Sequence, residues 1–268
     1  MKKRIKIAFL GCGHLARAII ASMTNPASVD TLRRNGKVFD ITAVDIDDGA
    51  LARVSGLCSV TRDAVSAVGA CDYVIVAVKP QDAKTALSTL KLSDKTVISV
   101  MAGISISMLG ELTGASRIVR VMPNICAQVG ESYNAYSAVG IDDEGMEAVL
   151  EILGSFGMPC QVGESLMPAV TGLTGSAPAY IFTAIKALAD EGIAQGFDAA
   201  TAKAMAVQTV IGSALTAECS DDLGALIKSV CSKGGTTAEG VKVLEERGYA
   251  ETLREAVRAS IEKSKELA

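Results

Sequence analysis

The first sixteen residues constrain the fold of this chain more than any other stretch. An apolar run at residues 5–10 leads into Gly11-Cys12-Gly13, and Ala16 follows three residues later. Gly11 permits a tight turn, Gly13 lets the backbone approach a pyrophosphate, and Ala16 lets a helix lie close to a sheet. A helix that begins here presents free N–H groups and a positive dipole end to an anion. This context favours a dinucleotide site over a plain strand-to-helix turn.

The only histidine of the chain, His14, lies in this turn beside Leu15. We expect both residues to face the cofactor. His14 should have no proton-transfer role, because the turn faces phosphates and not the nicotinamide. A single histidine argues against His-based metal sites and Ser-His-Asp triads. Seven dispersed cysteines without a C-x-x-C pair indicate reduced thiols, so we expect neither a disulfide framework nor a metal site.

The first half of the chain alternates β-branched runs with amphipathic segments. Nearly all-apolar strands separated by helices are typical of a parallel sheet covered on both faces. We predict strands at residues 5–10, 38–44, 73–78, 96–100, 118–121, 133–139 and 159–162, the last two being weaker. Helices are predicted at residues 15–23, 50–54, 82–90 and 144–153.

After about residue 164, strand-like runs give way to long segments rich in Ala, Leu, Lys and Glu. This pattern predicts an all-helical second domain. The predicted fold is therefore α/β, with a Rossmann-like dinucleotide-binding domain at residues 1–163. An all-helical C-terminal domain follows at residues 164–268.

Cofactor preference should depend on Asp45, at the end of the second predicted strand. An acidic side chain there accepts hydrogen bonds from the adenosine ribose hydroxyls of NADH and repels the 2′-phosphate of NADPH. The nearest candidates for a phosphate clamp are Arg33, Arg34 and Arg53. Asp47 or Asp48 could cap the following helix, and Asp45 itself could do no more than that. The cofactor is therefore expected to be NADPH or NADH, and Asp45 slightly favours NADH.

Three successive predicted strands end in residues suited to a nicotinamide pocket. Ligands of open parallel sheets bind at the carboxyl ends of the strands. Proline ends the first of these strands, and small residues after the second leave room for a ring. The alternative for the strand that ends before Lys79 is that the chain simply leaves the sheet there, with Lys79 in solvent and no role in binding. The predicted cofactor-binding residues at these ends are Val78, Lys79, Pro80, Ala102, Gly103, Met122, Pro123 and Asn124.

Taken in order, these motifs resemble those of the pyrroline-5-carboxylate reductase family. The helical half adds Thr-Gly-Leu-Thr-Gly-Ser-Ala-Pro-Ala-Tyr at residues 171–180 and Val-Cys-Ser-Lys-Gly-Gly-Thr-Thr at residues 230–237. The resemblance extends to about residue 267. It implies NAD(P)H-dependent reduction of 1-pyrroline-5-carboxylate to L-proline, the last step of proline biosynthesis.

The resemblance also implies roles for individual residues. Backbone N–H groups of the turn at residues 232–237 would hold the substrate carboxylate, and glycines at a helix start suit this role. Thr237 would hydrogen-bond the ring nitrogen as hydride reaches the adjacent carbon. The alternative is a glycine-rich helix start with Thr236 as its cap. The implied substrate-binding residues are Ser232, Gly234, Gly235, Thr236 and Ser176.

Three positions depart from the pattern of the family. Ala177 stands where the family commonly has glycine, Lys233 where it has proline, and Lys186 where it has an acidic residue. These departures leave a reductase of another cyclic or open-chain imino acid as an alternative. A β-hydroxyacid dehydrogenase is disfavoured, because Ile181 stands where that chemistry needs a lysine. A non-catalytic nucleotide sensor would keep the fold but not the chemistry, and the intact Gly-Gly-Thr-Thr turn at residues 234–237 argues against it.

Partners and location can also be predicted. The apolar, Ala-rich helices, together with the resemblance, imply a homodimer through the helical half, which could assemble further into a decamer. The net charge of −4 without a basic stripe argues against a nucleic-acid partner. No apolar run reaches the roughly 18 residues that span a bilayer, so we expect a cytoplasmic protein that acts on a small imino acid.

Overall fold

The computed structural model describes residues 3–28 and 37–267. The chain divides into two compact units, one of Met1–Gly175 with Ser260–Ala268 and one of Ser176–Ala259. A compact unit and a domain need not share their limits, so the domain boundary between residues 163 and 164 stays a prediction. None of the described helices is long and apolar enough to cross a membrane.

The first unit is built on an eight-stranded sheet in the order β3-β2-β1-β4-β5-β6-β7-β8. All neighbouring strands are parallel except β6 and β7, which are antiparallel. The chain order reverses between β1 and β4, and ligands of open α/β sheets bind at this switch point. The strands are β1 Lys3–Leu10, β2 Lys37–Val44, β3 Ser59–Thr61, β4 Tyr73–Val76, β5 Thr96–Ser99, β6 Arg117–Met122, β7 Ser132–Val139 and β8 Gly157–Gln161.

Helices cover both faces of this sheet. Along β1, Ile7 and Phe9 belong to the core on one face, and Ala8 and Leu10 to the core on the other. Each fully buried aliphatic or aromatic side chain contributes about 1.5–3 kcal/mol. The helices are α1 His14–Met23, α2 Asp48–Ala52, α3 Ala64–Gly69, α4 Ala83–Leu87, α5 Ile106–Thr113, α6 Asp143–Gly154 and α7 Met167–Val170. The predicted sheet with two covered faces is therefore confirmed, and it is parallel everywhere except between β6 and β7.

Short tight turns join several of these elements. Pro80–Asp82, Ile125–Val129 and Glu164–Leu166 are 3₁₀ turns, and Thr171–Gly175 is a π-helical turn directly after α7. The helix predicted at residues 82–90 is therefore wrong in its limits. Its first residue belongs to the 3₁₀ turn that opens at Pro80, and its α-helical part ends at Leu87.

The second unit is all-helical, as predicted. Its helices are α8 Ala177–Ala194, α9 Ala199–Glu218, α10 Leu223–Val230 and α11 Thr236–Glu246, followed by α12 Tyr249–Glu266, whose last residues belong to the first unit. Residues 176–259 are all described, and among them only Ala202 and Ala206 are buried. Large apolar side chains such as Phe182 and Leu215 are more than half exposed. The apolar surface of this unit is therefore largely uncovered within one chain.

Candidate active site

The glycine-rich turn follows β1 directly. Gly11 has φ +95°, and a Cβ there would lie 2.9 Å from both the carbonyl carbon and the oxygen of Ala77. Its N–H donates to the carbonyl of Val44 at 2.9 Å. Positive φ and backbone contact both require glycine. The turn is therefore held against the ends of β2 and β4, at the switch point of the sheet.

The N-terminus of α1 is open at Gly13. This residue is the N-cap of the helix, at φ −65° and ψ −174°, and no described side chain caps it. No atom of residues 3–28 or 37–267 lies within 4 Å of a Cβ built on Gly13, and His14 is exposed. Leu15 packs against the core and Ala16 is buried, so the helix lies against the sheet as predicted. An uncapped helix start with open space above it fits a pyrophosphate group.

Asp45 contacts this turn from the end of β2. Its Oδ2 accepts a hydrogen bond from the N–H of Cys12 at 2.7 Å, and its Oδ1 accepts one from the N–H of Asp47 at 2.9 Å. Asp47 is the residue that caps α2, with Oδ1 accepting from the N–H of Gly49 at 2.8 Å. Each carboxylate oxygen of Asp45 keeps a second lone pair, so ribose hydroxyls could still donate to it.

The arginines near Asp45 have acidic partners. Arg53 Nη2 lies 3.9 Å from Asp47 Oδ2, and Arg62 Nη1 lies 3.4 Å from Asp48 Oδ2. Arg33 and Arg34, the other candidates for a phosphate clamp, lie outside the described residues. Burial and, next, the Asp45 carboxylate raise the pKa of Cys12 to about 12, so this thiol stays protonated and unreactive.

The strand ends predicted to line the nicotinamide pocket lie at one edge of the sheet. β4, β5 and β6 are parallel neighbours, so their carboxyl ends point the same way. The hydrogen bonding continues one residue past β5, since the N–H of Val100 donates to the carbonyl of Val76 at 3.1 Å. Lys79, Pro80 and Ala102 are exposed, Val78 and Met122 are half-buried, Pro123 is buried, and Gly103 has φ +75°.

Asn124, at the exit of β6, is occupied by contacts within the protein. Its Nδ2 donates to the carbonyl of Thr174 at 3.0 Å, and its Oδ1 accepts from the N–H of Cys126 at 2.9 Å. Its own N–H donates to Ser132 Oγ at 2.9 Å. The sequence offered no signal for the contact with Thr174. A cofactor contact of Asn124 stays a prediction.

Glu164 and Arg120 form an ion pair that the sequence did not predict. Glu164 Oε1 accepts from Arg120 Nη1 at 3.0 Å and from the N–H of Ile106 at 2.7 Å. The Arg120 side chain is 11% exposed and that of Glu164 is 35% exposed. The pair therefore fixes the start of α5 relative to β6, whose carboxyl end belongs to the candidate pocket.

The turn predicted to bind the substrate carboxylate lies in the second unit. Gly234 has φ +72°, and a Cβ on Gly235 would collide with Ser232 Oγ. The N–H of Gly235 donates to the carbonyl of Ser232 at 2.9 Å. Gly235 is the N-cap of α11, and no described side chain caps this helix. The alternative with Thr236 as cap is therefore wrong, since Thr236 is the first helical residue and Thr237 the second.

The remaining predicted residues of the second unit are near solvent. Thr237 and Lys233 are exposed, and Ser176 is half-buried directly before α8. Lys186 is exposed and pairs with Asp190 one turn along α8, and such a surface pair contributes little to stability. Within residues 3–28 and 37–267, no group of three or more His, Cys, Asp or Glu side chains could hold a metal ion.

Comparison with known proteins gives matches along nearly the whole chain. The family model described as pyrroline-5-carboxylate reductase dimerisation matches residues 164–267, and the model described as NADP oxidoreductase coenzyme F420-dependent matches residues 6–103. The pyrroline-5-carboxylate reductase of Methanosarcina acetivorans is 40% identical over 98% of this chain and 97% of its own.

Two solved structures are similar throughout. The 1-pyrroline-5-carboxylate reductase of Streptococcus pyogenes has a TM-score of 0.85 at 29% identity, covering 98% of this chain and 99% of that one. The pyrroline carboxylate reductase of Plasmodium falciparum, solved with NADP bound, has a TM-score of 0.85 at 28% identity, covering 98% of both chains.

Proposed function

This chain belongs to the pyrroline-5-carboxylate reductase family, and from that premise we propose that it reduces 1-pyrroline-5-carboxylate to L-proline with NADPH or NADH. When bound, the reduced nicotinamide supplies the hydride that the imine carbon accepts, and the ring nitrogen takes up a proton. The observation that carries the proposal is the uncapped glycine turn before α11, next to an exposed threonine, in a chain with an intact dinucleotide turn.

The turn at residues 232–237 suits a carboxylate. The first N–H groups of a helix have no partner within the helix, and a side-chain cap usually satisfies one of them. Here the N-cap is Gly235, so the first turn of α11 keeps its donors for a ligand. The positive end of the helix dipole adds to the attraction. Ser232, Gly234 and Thr236 would shape the turn.

Thr237 is the proposed catalytic residue. It is exposed at the second position of α11, and its hydroxyl would hydrogen-bond the imine nitrogen. A hydroxyl suffices, because an imine is readily protonated in water and no strong acid need be built into the site. Ser176 is proposed as a further substrate contact.

Asp45 supports a preference for NADH. Its carboxylate is fixed by hydrogen bonds from two backbone N–H groups at the end of β2, where an acid favours ribose hydroxyls over a 2′-phosphate. The nearby Arg53 lies 3.9 Å from Asp47, so that carboxylate competes with a phosphate for its charge. This preference is a proposal about this chain. The family model that matches residues 6–103 is itself described as an NADP oxidoreductase.

Lys233 favours one alternative substrate class. It is exposed within the proposed carboxylate turn, where a cation would attract a more anionic imino acid than 1-pyrroline-5-carboxylate. A reductase of another cyclic or open-chain imino acid is therefore the second candidate.

We also propose a homodimer through the helical unit. Residues 164–267 match the dimerisation model of the family, and Phe182, Phe197 and Leu215 are each at least 46% exposed in one chain. An exposed apolar surface of this kind is typical of an interface. Further assembly into a decamer, and a cytoplasmic location in which the seven free cysteines stay reduced, belong to the same proposal. A monomeric mass by light scattering at micromolar concentration would contradict the dimer.

The test compares wild type with Thr237→Val and Thr237→Ser in the oxidation of NADH and of NADPH by 1-pyrroline-5-carboxylate. Valine keeps the branched shape and removes the hydroxyl, whereas serine keeps the hydroxyl. We expect Thr237→Val to lose at least about tenfold in kcat/KM, the roughly 1.4 kcal/mol of one hydrogen bond. Thr237→Ser should keep most of the activity.

Two outcomes would contradict the proposal. A wild type that binds a dinucleotide but turns over with neither one would direct the search to other imino acids or to a sensor. Equal activity of wild type and Thr237→Val would remove Thr237 from the mechanism.

A further inference from the structure

The carbonyl of Thr174 lacks the donor that an α-helix would normally supply. In an α-helix it would accept from the N–H four residues later, but that residue is Pro178, which has none. In the π-helical turn the donor would be Ala179, whose N–H donates to the carbonyl of Ser176 at 3.1 Å. A carbonyl that is shielded from water and lacks a donor costs about 1–3 kcal/mol. Thr174 is half-buried, so a partner from elsewhere is expected.

Asn124 supplies that partner across fifty residues of sequence. Its Nδ2 lies 3.0 Å from the carbonyl of Thr174. The orientation of the amide is determined by its two neighbours, because the N–H of Cys126 requires an acceptor and the carbonyl of Thr174 requires a donor. The backbone of Asn124 is held independently, by Ser132 Oγ at 2.9 Å.

A second contact joins the same two segments. A Cβ built on Gly175 would lie 2.7 Å from Met122 Cε, so Gly175 packs directly against the last residue of β6. Thr171 and Thr174 use their hydroxyls on the carbonyls of Met167 and Val170, each at 3.0 Å. The π-helical turn is therefore held by the exit of β6 at two adjacent points.

We propose that Asn124 is a positioning residue for the reaction, because it fixes the π-helical turn from which the chain enters Ser176. Gly175 and Ser176 are consecutive, so their Cα atoms are about 3.8 Å apart and a fixed Gly175 limits where Ser176 can lie. π-Helical turns are frequent at functional sites. The catalytic part of this inference rests on the proposed function, in which Ser176 contacts the substrate. Under this inference the Asn124 side chain does not contact the cofactor as predicted from the sequence. It acts instead on the position of a substrate contact.

The experiment uses the full chain and compares Asn124→Asp with Ser132→Ala. Aspartate keeps an acceptor for Cys126 but replaces the donor to Thr174 with a repelling oxygen. Ser132→Ala removes a hydrogen bond of the same residue and leaves the bond to Thr174 intact. For Asn124→Asp we expect kcat/KM for the imino acid to fall at least about tenfold, while the Kd for NADH stays within about twofold of wild type. Ser132→Ala should stay within about threefold in both.

Rescue tests the missing donor directly. Pro178→Ala restores an N–H at the position from which Thr174 lacks one. The double variant Asn124→Ala with Pro178→Ala should therefore recover at least about threefold in kcat/KM over Asn124→Ala. No recovery would overturn the account of the Thr174 carbonyl.

Hydrogen exchange separates this inference from the proposed function, because it requires no turnover. Backbone amides of residues 171–177 should exchange at least about tenfold faster in Asn124→Asp, or in Asn124→Ser should the aspartate variant not fold, than in wild type. Unchanged exchange would overturn the inference even in an active enzyme. An inactive wild type with faster exchange in the variant would contradict only the proposed function. A tenfold rise in the Kd for NADH in Asn124→Asp would make Asn124 a cofactor contact instead.

Discussion

Gly11 and Gly13 offer a matched pair of substitutions, because a single added methyl group should affect stability at one position and cofactor binding at the other. Gly11→Ala places a Cβ 2.9 Å from the backbone of Ala77 at φ +95°, whereas Gly13→Ala places it in open space at φ −65°. The first should damage the fold, and the second should damage only the binding of the dinucleotide.

The expected loss of stability in Gly11→Ala has two parts. A left-handed conformation costs a residue with a Cβ about 1–2 kcal/mol. Overpacking against atoms that cannot move aside costs about 1–3 kcal/mol more, and here the neighbour is the backbone of Ala77. The sum of about 2–5 kcal/mol corresponds to a fall in Tm of roughly 4–20 °C.

Gly13→Ala should leave the Tm within about 3 °C of wild type, because glycine and alanine differ by less than about 1 kcal/mol at an N-cap. Its methyl group, however, occupies the space that a pyrophosphate needs above α1. We expect the Kd for NADH, measured by titration calorimetry without imino acid, to rise at least about tenfold.

Either of two results would refute this reasoning. A Gly11→Ala protein as stable as wild type would mean that the turn does not approach Ala77 as described. A Gly13→Ala protein that binds NADH as tightly as wild type would mean that the open N-terminus of α1 does not hold the pyrophosphate.

Three further predictions concern cofactor choice, stability and pH. Asp45→Asn, which keeps an acceptor for Cys12 and removes the charge, should raise the ratio of kcat/KM with NADPH to that with NADH at least about tenfold; an unchanged ratio would count against Asp45. Glu164→Ala should lower the free energy of unfolding by about 1–3 kcal/mol, less than for a fully buried pair because Glu164 is 35% exposed; a urea midpoint equal to that of wild type would contradict this. Burial raises the pKa of Cys12 from 9.0 to about 12, so the folded state binds more protons than the unfolded state between these values, and stability should hold up to about pH 9 and fall above it. Cys12→Ala should show a weaker fall in its urea midpoints, and an identical fall would exclude this thiol.

The sequence predicted most of the sheet because its strands are buried on both faces and therefore read as continuous apolar runs. β3 was missed, since Ser59–Thr61 is a three-residue edge strand whose central Val60 is 37% exposed. α3 and α5 were also missed, and both are short helices whose side-chain caps, Asp63 and Ser105, are the main local signal of their starts.

The dinucleotide turn was predictable because its chemistry is local: three small residues, a strand before them and a helix after them. The link from Asn124 to Thr174 and the pair of Arg120 with Glu164 were not predictable, because each joins residues more than forty positions apart. Thr236 was one candidate for the N-cap of α11, since threonine is a preferred cap residue, but Gly235 holds that position. Short-range sequence preferences cannot reveal a position whose side-chain cap is absent.

The most direct test of the central claim follows one atom from cofactor to product. The enzyme is incubated with 1-pyrroline-5-carboxylate and, in parallel reactions, with NADH or NADPH that carries deuterium at the transferring position, and the product is analysed by mass spectrometry. We predict L-proline with deuterium at C5, the carbon of the imine, with at least one of the two cofactors. Absence of proline with both cofactors, or proline without deuterium at that carbon, would contradict the assignment of this chain as a reductase of 1-pyrroline-5-carboxylate.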